Sequence, residues 1–556
     1  MSQLETTEYD VVVVGSGAAG MVTAISAADE GLKVVIVEKA PVWGGTTAMS
    51  GGGFWVAGND CQKAAGISDS FEEAMTFLEA SIPDEGPVTS RARKEALVRN
   101  GNLMTRLIAA KGVELQMGYL HDYFANNPGA KMGRHVEPKS WNGRKLGPLL
   151  DKMRWVPISP FPVDASETPR LARGHVPTMA KVYLRYKLQV LMGRRPLAMG
   201  ANLAAQLMLA AQKSGVELKL DSPVKDLIRE NGRVVGVVAE SNGKREEIRA
   251  RAGVMLSAGG FAKAAEFRKK HQGVTGAESN ASDDDTGDII QLADRWGLQT
   301  AMLDVAWWIP SLLLPPDKFP LMNPSDRSLP GSIMVNGAGK RFTNECENYN
   351  YVGNKMIEKG IDDPTWLIID TRHRNRYMVG RYLPGQNTRE LVKNGFFKTG
   401  RTIEELATQI GVPPANLRET IDRWNRQVDE GRDSDFGRGE SAYNRQYGDA
   451  RSKPNPNMGR IDQAPFYATR FHLGDLGTKG GLVTDEHARV VGTDGKVVEG
   501  LYAAGNTTAS VMGRAYPGPG STLGPAMTFG YIAGQHMAAR ATNRGVAASR
   551  NLETQA

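Results

Sequence analysis

Two clusters in this 556-residue sequence place chemistry-bearing residue types at fixed spacing. The first is Gly15-Ser16-Gly17-Ala18-Ala19-Gly20, with an acid, Glu38, eighteen residues beyond the last glycine. Glycines at this spacing permit a tight turn and close backbone approach. N–H groups at a helix N-terminus can then cradle a pyrophosphate, while the acid accepts from ribose hydroxyls. The second is YPGPGSTLGPAM, Tyr516 to Met527, with three glycines and three prolines in twelve positions. It opens an apolar run, AMTFGYIAGQHMAAR, that reads as a buried helix. A rigid turn with a single tyrosine at the mouth of a core helix is unusual for a mere surface loop, because the helix start offers amides and a dipole to an anion.

The elements that must position the first cluster are local. Tyr9–Val14 (YDVVVV) is a short β-branched run of the kind buried on both faces of a parallel sheet. An Ala-rich helix to Glu30 and a strand, Lys33–Val37, ending in Glu38 complete a dinucleotide-binding βαβ unit. A second glycine and hydroxyl cluster follows at once and offers Lys39, Gly44, Gly45, Thr46, Thr47, Ser50, Gly51 and Gly52. Such a cluster suits a cofactor extending well past its pyrophosphate, FAD rather than NAD, held without a covalent bond.

Two later strands end in small residues, Gly253–Phe261 and Leu501–Asn506, and open glycine turns where ligands bind in open α/β sheets. They add Ala258, Gly259, Gly505 and Asn506. Val224 begins an Asn-Gly hairpin running to Val238, and Ser521 and Leu523 lie at the start of the C-terminal helix. The expected fold is α/β: a Rossmann-type FAD-binding domain built from both chain ends, with an inserted α+β catalytic, capping domain. The division falls at 1–297, 298–463 and 464–556, with a basic apolar insertion at about 150–215. The middle holds Trp307–Pro316, read as a helix-turn or loop region lining a deep entrance, and a charged helix from Thr402 to Arg432.

Composition is that of a globular protein, 41% hydrophobic and 23% charged. Cys61 and Cys346, far apart and outside any metal spacing, argue against a disulfide framework and for a reducing, cytoplasmic setting. The N-terminus lacks a secretory h-region, and no run of about 18 apolar residues suggests a span. Net charge is +7. Between Thr168 and Val216 there is no acid, while Arg170, Arg173, Lys181, Arg185, Lys187, Arg194, Arg195 and Lys213 contribute eight positives. The charges flank apolar residues in MAKVYLRYKLQVLM, including Val182, Leu184, Leu188, Val190 and Leu191. That pattern fits peripheral contact with the inner face of a membrane better than nucleic acid, and a solvated helix is the plain alternative.

Together with VNGAGKRFTNE (Val335 to Glu345), these signals resemble the fumarate reductase-type flavoproteins over nearly the whole chain. Fumarate reductases of that group bind a dicarboxylate with cations. At the matching places this chain has Tyr349, Ser521 and the histidine-free segment before Gly480-Gly481, as a neutral substrate would require. Tyrosine there, with MGRAYPGPGSTLGPAMTFGY and Asp122–Gly129 followed by Gly133-Arg134, is similar to the 3-ketosteroid Δ1-dehydrogenases.

The resemblance implies four catalytic residues. Tyr516 O–H and Gly520 N–H would hold the ketone oxygen of a steroid. Tyr349 would take the proton from carbon 2, assisted by Tyr123 or by Tyr119 four residues earlier. Hydride from carbon 1 would pass to FAD, and a quinone or another carrier would reoxidise it. The rivals are a Δ4-(5α)-dehydrogenase, whose family has serine at position 516, a reductase of unsaturated acids, and a non-enzymatic membrane electron carrier.

Overall fold

A computed structural model describes residues 5–155, 162–241, 243–316 and 318–553. The chain first builds an eight-stranded sheet. Strand β1 (Glu5–Val14) leads through the glycine turn into α1 (Ala18–Asp29) and then β2 (Val34–Val37). Val11–Val14 pair in parallel with Val34–Val37 on one side and, from Val12 to Val14, with Val254–Leu256 on the other. Side chains alternate across a strand. Val11 and Val13 therefore join the core beneath α1, while Val12 and Val14 pack with Val224, Leu227 and Val237 on the opposite face. Burial on both faces is worth about 1.5–3 kcal/mol per valine, so the run specifies a central strand.

The basic stretch divides into three helices. Short α2 (Thr168–Ala172) and α3 (Val176–Leu191) are separated by Gly174, and α4 (Met199–Lys213) follows. Of the 150–215 insertion, residues 156–161 lie outside the described residues. α4 is buried against α1 in the core beneath the nucleotide sheet, so only α2 and α3 form an outer layer. Leu184, Leu188, Val190 and Leu191 are exposed on α3, whereas Val182 is turned inward. Arg185 is likewise not free: Glu167 takes it at 2.8 Å, and Asp164 lies 3.6 Å away.

The sheet continues with β3 (Glu217–Lys219), the hairpin β4 (Val224–Glu230) and β5 (Arg233–Ser241), and β6 (Lys244–Leu256). Asn231 and Gly232, both at positive φ, make the expected turn.

A second, six-stranded sheet follows. It contains β7 (Ala306–Leu314), β8 (Phe319–Leu321), β9 (Ser332–Val335), β10 (Thr365–Ile369), β11 (Lys398–Gly400) and β12 (Phe466–Thr478), in the order β8-β7-β12-β10-β9 with β11 beside β12. The run AWWIPSLLL is thus an interior strand, almost wholly buried, and neither a helix nor an entrance loop. Pro310 is accommodated where β7 is paired by β12 alone, since β8 reaches only Leu312–Leu314.

Helix α5 (Tyr349–Glu358) packs on this strand, with Gly353 meeting Trp308. The charged segment is two helices, α6 (Ile403–Ile410) and α7 (Pro414–Glu430), because Gly411 caps the first in the left-handed region and Pro413 cannot continue it.

The chain then returns to the first sheet through β13 (Arg489–Val491) and β14 (Val497–Ala503), whose Leu501–Ala503 pair in parallel with Val254–Leu256. The boundary expected at 463/464 precedes β12, which belongs to the second sheet. Finally α8 (Leu523–Glu553) crosses α1. A Cβ at Gly530 would lie 2.5 Å from Ala19 O, and one at Gly534 would lie 2.7 Å from Ser26 Cβ. The small residues in FGYIAG are what let these helices touch.

Candidate functional site

A cavity of about 1000 Å³ runs from the N-terminus of α1 to the inner face of α2 and α3. At its nucleotide end, all of the expected cofactor residues line it except Gly20, Gly44 and Ser521. Those three act on the frame. A Cβ at Gly20 would strike Gly15 O, so this glycine lets α1 sit on β1. Gly44 donates to Ser16 Oγ at 2.9 Å, and Ser521 Oγ closes its own turn on the carbonyl of Gly518 at 2.7 Å.

Glu38 departs from the simple expectation. Its carboxylate accepts from Ser16 N–H and O–H at 3.0 and 2.6 Å and from Ala40 N–H at 3.0 Å. An ionised carboxylate offers about four lone-pair sites: two tie the glycine turn to the end of β2, one is taken by Ala40 next door, and one is left free.

The residues present fit a dinucleotide. The turn at Gly15 (φ +99°) presents the first-turn amides of α1 to the cavity, and among these Ala18 N–H is taken by Thr47 Oγ1 at 2.9 Å. Lys39 is anchored by Thr286 Oγ1 at 2.6 Å and Asp288 at 2.9 Å. Asp285, which lines the cavity, is buried, and burial pushes it up to about 7 against the opposing effect of the Gly260 backbone N–H.

At the far end, three tyrosines distant in sequence converge. Tyr123 O–H donates to Tyr349 O–H across 2.9 Å, and the Tyr123 ring stacks on Tyr516 with centroids 5.3 Å apart. Tyr349 and Tyr516 meet edge-on at 5.0 Å. All three are buried and line the cavity. Tyr119 is 64% exposed, which leaves Tyr123 as the neighbour of Tyr349.

The backbone explains this convergence. Tyr123 N–H donates to Pro517 O at 2.7 Å, binding the two segments together. Asp122, buried, accepts from Trp55 Nε1 and Arg134 at 2.8 Å each, and burial raises it to about 6. Tyr349 is the first residue of α5, which Asn348 caps by accepting from Tyr351 N–H at 2.9 Å. The phenol thus sits at the positive end of a helix dipole. Burial nonetheless raises Tyr349 well above its ordinary value, with Tyr516 adding to the rise and the Tyr123 hydrogen bond opposing it. Burial also raises Tyr516 and Tyr123.

Gly520 (φ +89°) abuts Phe54, whose Cα would lie 2.5 Å from a Cβ there. Its carbonyl accepts from Trp55 N–H at 3.1 Å and Gly524 N–H at 2.9 Å. Gly520 lines the cavity, and its own N–H donates to nothing among the described residues.

A family model described as an FAD binding domain matches residues 10–523. The chain belongs to this FAD-binding family. The cofactor of this flavoprotein is FAD, and the residues at the nucleotide end of the cavity fit that group. It is 39% identical to a 3-oxosteroid 1-dehydrogenase of Mycobacterium tuberculosis, over 98% of this chain and all of that one. A 4-oxocyclohexanecarboxylate 2-dehydrogenase of Sinomonas cyclohexanicum is 35% identical over 98% of this chain and 96% of the relative. Among solved structures, a 3-ketosteroid delta1-dehydrogenase from Sterolibacterium denitrificans, in complex with 1,4-androstadiene-3,17-dione, superposes with a TM-score of 0.91. It is 37% identical and covers 96% of this flavoprotein and all of the other chain.

Several residues of this site had not been expected. His135 lines the cavity beside the Gly520 turn. Trp307 packs edge-on against Tyr516 at 5.0 Å and donates to Asn506 at 3.2 Å. Arg154, also on the wall, is bound to Asp284. Trp307 opens the run read from the sequence as an entrance, whereas no motif flags His135 or Arg154, which reach the site through long-range packing.

Proposed function

We propose that this flavoprotein is an FAD-dependent 1-dehydrogenase of 3-ketosteroids, converting a 3-keto-4-ene to a 3-keto-1,4-diene. The observation that carries the reading is the meeting of the Tyr123, Tyr349 and Tyr516 hydroxyls on a cavity wall shared with the unpartnered Gly520 N–H. A ring ketone acidifies carbon 2 because the carbanion delocalises onto its oxygen. Tyr516 O–H and Gly520 N–H hold that oxygen and stabilise the enolate as charge builds. Tyr349 removes the proton from carbon 2, and Tyr123 relays it or steadies the phenolate by donating to it. Burial makes an isolated phenolate costly here, so proton removal and oxygen stabilisation must proceed together. FAD supplies the acceptor for the hydride from carbon 1.

The substrate class follows from the wall beyond the tyrosines. Leu171, Met179, Val182, Leu321, Met322 and Met378 extend the cavity as an apolar surface that a multi-ring steroid would fill. A one-ring keto acid would leave it bare. Succinate or fumarate lacks the ring ketone that the tyrosines need. Incubation with a 3-keto-4-ene steroid and an artificial electron acceptor should yield a product lighter by two hydrogens, with the new double bond between carbons 1 and 2. A product oxidised at carbons 4 and 5 from a 5α-steroid, with no 1-ene, would overturn the assignment.

Three further readings accompany it. The first sheet is an FAD domain contributed by both chain ends, and the second sheet, through Thr478, is an inserted cap whose α5 delivers Tyr349. Reoxidation falls to a quinone or a comparable carrier. No described helix is long and apolar enough to cross a membrane. The outer face of α3 carries exposed Leu184, Leu188, Leu191 and Met192 beside Lys181 and Lys187, while its inner face closes the cavity. This helix rests on an anionic lipid surface and takes its sterol from there.

A further inference from the structure

We infer that His135 is a positioning residue for the ketone-oxygen pocket: by donating to Pro519 O it fixes the peptide whose N–H belongs to Gly520. The inference rests on the reading that this N–H holds the ketone oxygen. His135 is 3% exposed, and its Nδ1 lies 3.1 Å from Pro519 O. Pro519 C=O and Gly520 N–H are the two ends of one planar trans peptide unit and point in opposite directions. A donor that pins the carbonyl therefore aims the N–H the other way, and polarising the C=O strengthens the N–H as a donor.

The ring itself is held without slack. A Cβ at Gly53 would fall 1.7 Å from His135 Cε1, and one at Gly118 would fall 2.1 Å from its Cδ2.

Both ring nitrogens face acceptors. Nδ1 meets the Pro519 carbonyl, and Nε2 lies 3.7 Å from Glu137 Oε2, with no hydrogen-bond partner among the described residues. Pro519 O has no hydrogen to give, so Nδ1 must carry the proton of this bond. Glu137 is held in turn by Ser166 Oγ at 2.7 Å and Gln116 Nε2 at 3.4 Å. The carboxylate therefore stays on the Nε2 side. The effect is an electropositive N–H at Gly520 before substrate arrives, where most of the benefit of such a pocket lies.

Three variants separate this role from packing. His135→Asn keeps a donor near the Nδ1 position, His135→Gln moves it toward the Nε2 position, and His135→Leu has the shape of the Asn variant without a donor. The readout is exchange of carbon 2 hydrogens of a 3-keto-4-ene steroid with solvent deuterium, alongside steroid Kd from the flavin spectrum and FAD content. Losing the alignment of one of two donors should slow exchange in the Gln and Leu variants on the order of 10-fold relative to Asn, with Kd little changed. Equal exchange in the Asn and Gln variants overturns the inference, whether or not the Leu variant folds. Tyr516→Phe serves as the reference. If it slows exchange while the Asn and Gln variants match, only the His135 role fails. If it too leaves exchange unchanged, the pocket reading itself is what fails.

Discussion

The hydroxyls of Tyr123 and Tyr349 lie 2.9 Å apart although 226 residues separate them in the chain. One comes from a loop pinned to the Pro517 carbonyl, the other from the first turn of α5 on the second sheet. The bond gives Tyr349 a donor that favours its phenolate and opposes the effect of burial. Tyr349→Phe should keep the bound flavin and steroid affinity but lose turnover by 10²-fold or more, the order expected for a general base. Tyr123→Phe should lose less. Equal, mild losses in stopped-flow flavin reduction for both variants would remove Tyr349 from the role of base.

Tyr516 stacks on Tyr123 and meets Tyr349 edge-on, which places its hydroxyl with theirs. Removing one of two donors to a developing oxyanion costs about 10²–10³ in rate at comparable sites. Tyr516→Phe should therefore slow both turnover and carbon 2 exchange. Exchange that persists while flavin reduction stops would mean that Tyr516 positions the hydride rather than the enolate.

Asp326 is buried beside the second sheet, where Gly380 N–H at 3.0 Å is one of its few partners, and burial raises it to about 7. A raised carboxyl pKa stabilises the fold fully below the unfolded value, near 4. That contribution declines as pH rises toward about 7, by about 1.4 kcal/mol per pH unit. Asp326→Asn cannot titrate. Its melting temperature should therefore gain on the natural protein as pH is raised from 5 to 8. A constant difference between the two melting curves across that range would show that the carboxyl ionises as freely folded as unfolded.

The outer face of α3 should bind anionic vesicles reversibly. Lys181, Lys187, Arg194 and Arg195 are exposed, and each cation near such a surface is worth on the order of 1 kcal/mol. Co-sedimentation at low salt should fall on adding salt and in a Lys187→Glu/Arg194→Glu variant. Arg185 is the wrong residue to reverse, since Glu167 already holds it. Equal sedimentation with neutral and anionic vesicles would exclude charge as the attraction.

What could be read from the sequence was what local pattern dictates. The β1–α1–β2 unit is written in one continuous stretch, with its period, glycines and terminal acid adjacent. The Asn231-Gly232 turn and the buried C-terminal helix were legible for the same reason. AWWIPSLLL was not, because an apolar run containing proline and lacking a clear period fits strand, helix or loop, and only pairing with β12 decides. The charge pattern of Thr402 to Arg432 reads as one helix, and the stop signal Gly411-Val412-Pro413 within it is what divides it into two. Tyr349 and Tyr516 were reached through motif resemblance, whereas His135 depends on glycines at 53 and 118 closing around its ring, which no linear pattern announces.

Removal of hydrogens from carbons 1 and 2 of a steroid ring ketone must reduce the flavin, so the reductive half-reaction reports it without any electron acceptor. Oxidised protein is mixed anaerobically with a 3-keto-4-ene steroid, a 5α-reduced 3-ketosteroid, 4-oxocyclohexanecarboxylate or succinate, and flavin absorbance is followed. The 3-keto-4-ene steroid should bleach the flavin rapidly, with the 1,4-diene recovered, and succinate should leave it yellow. Bleaching by the one-ring keto acid or by succinate, with the 3-keto-4-ene steroid inert, would rule out a steroid 1-dehydrogenase.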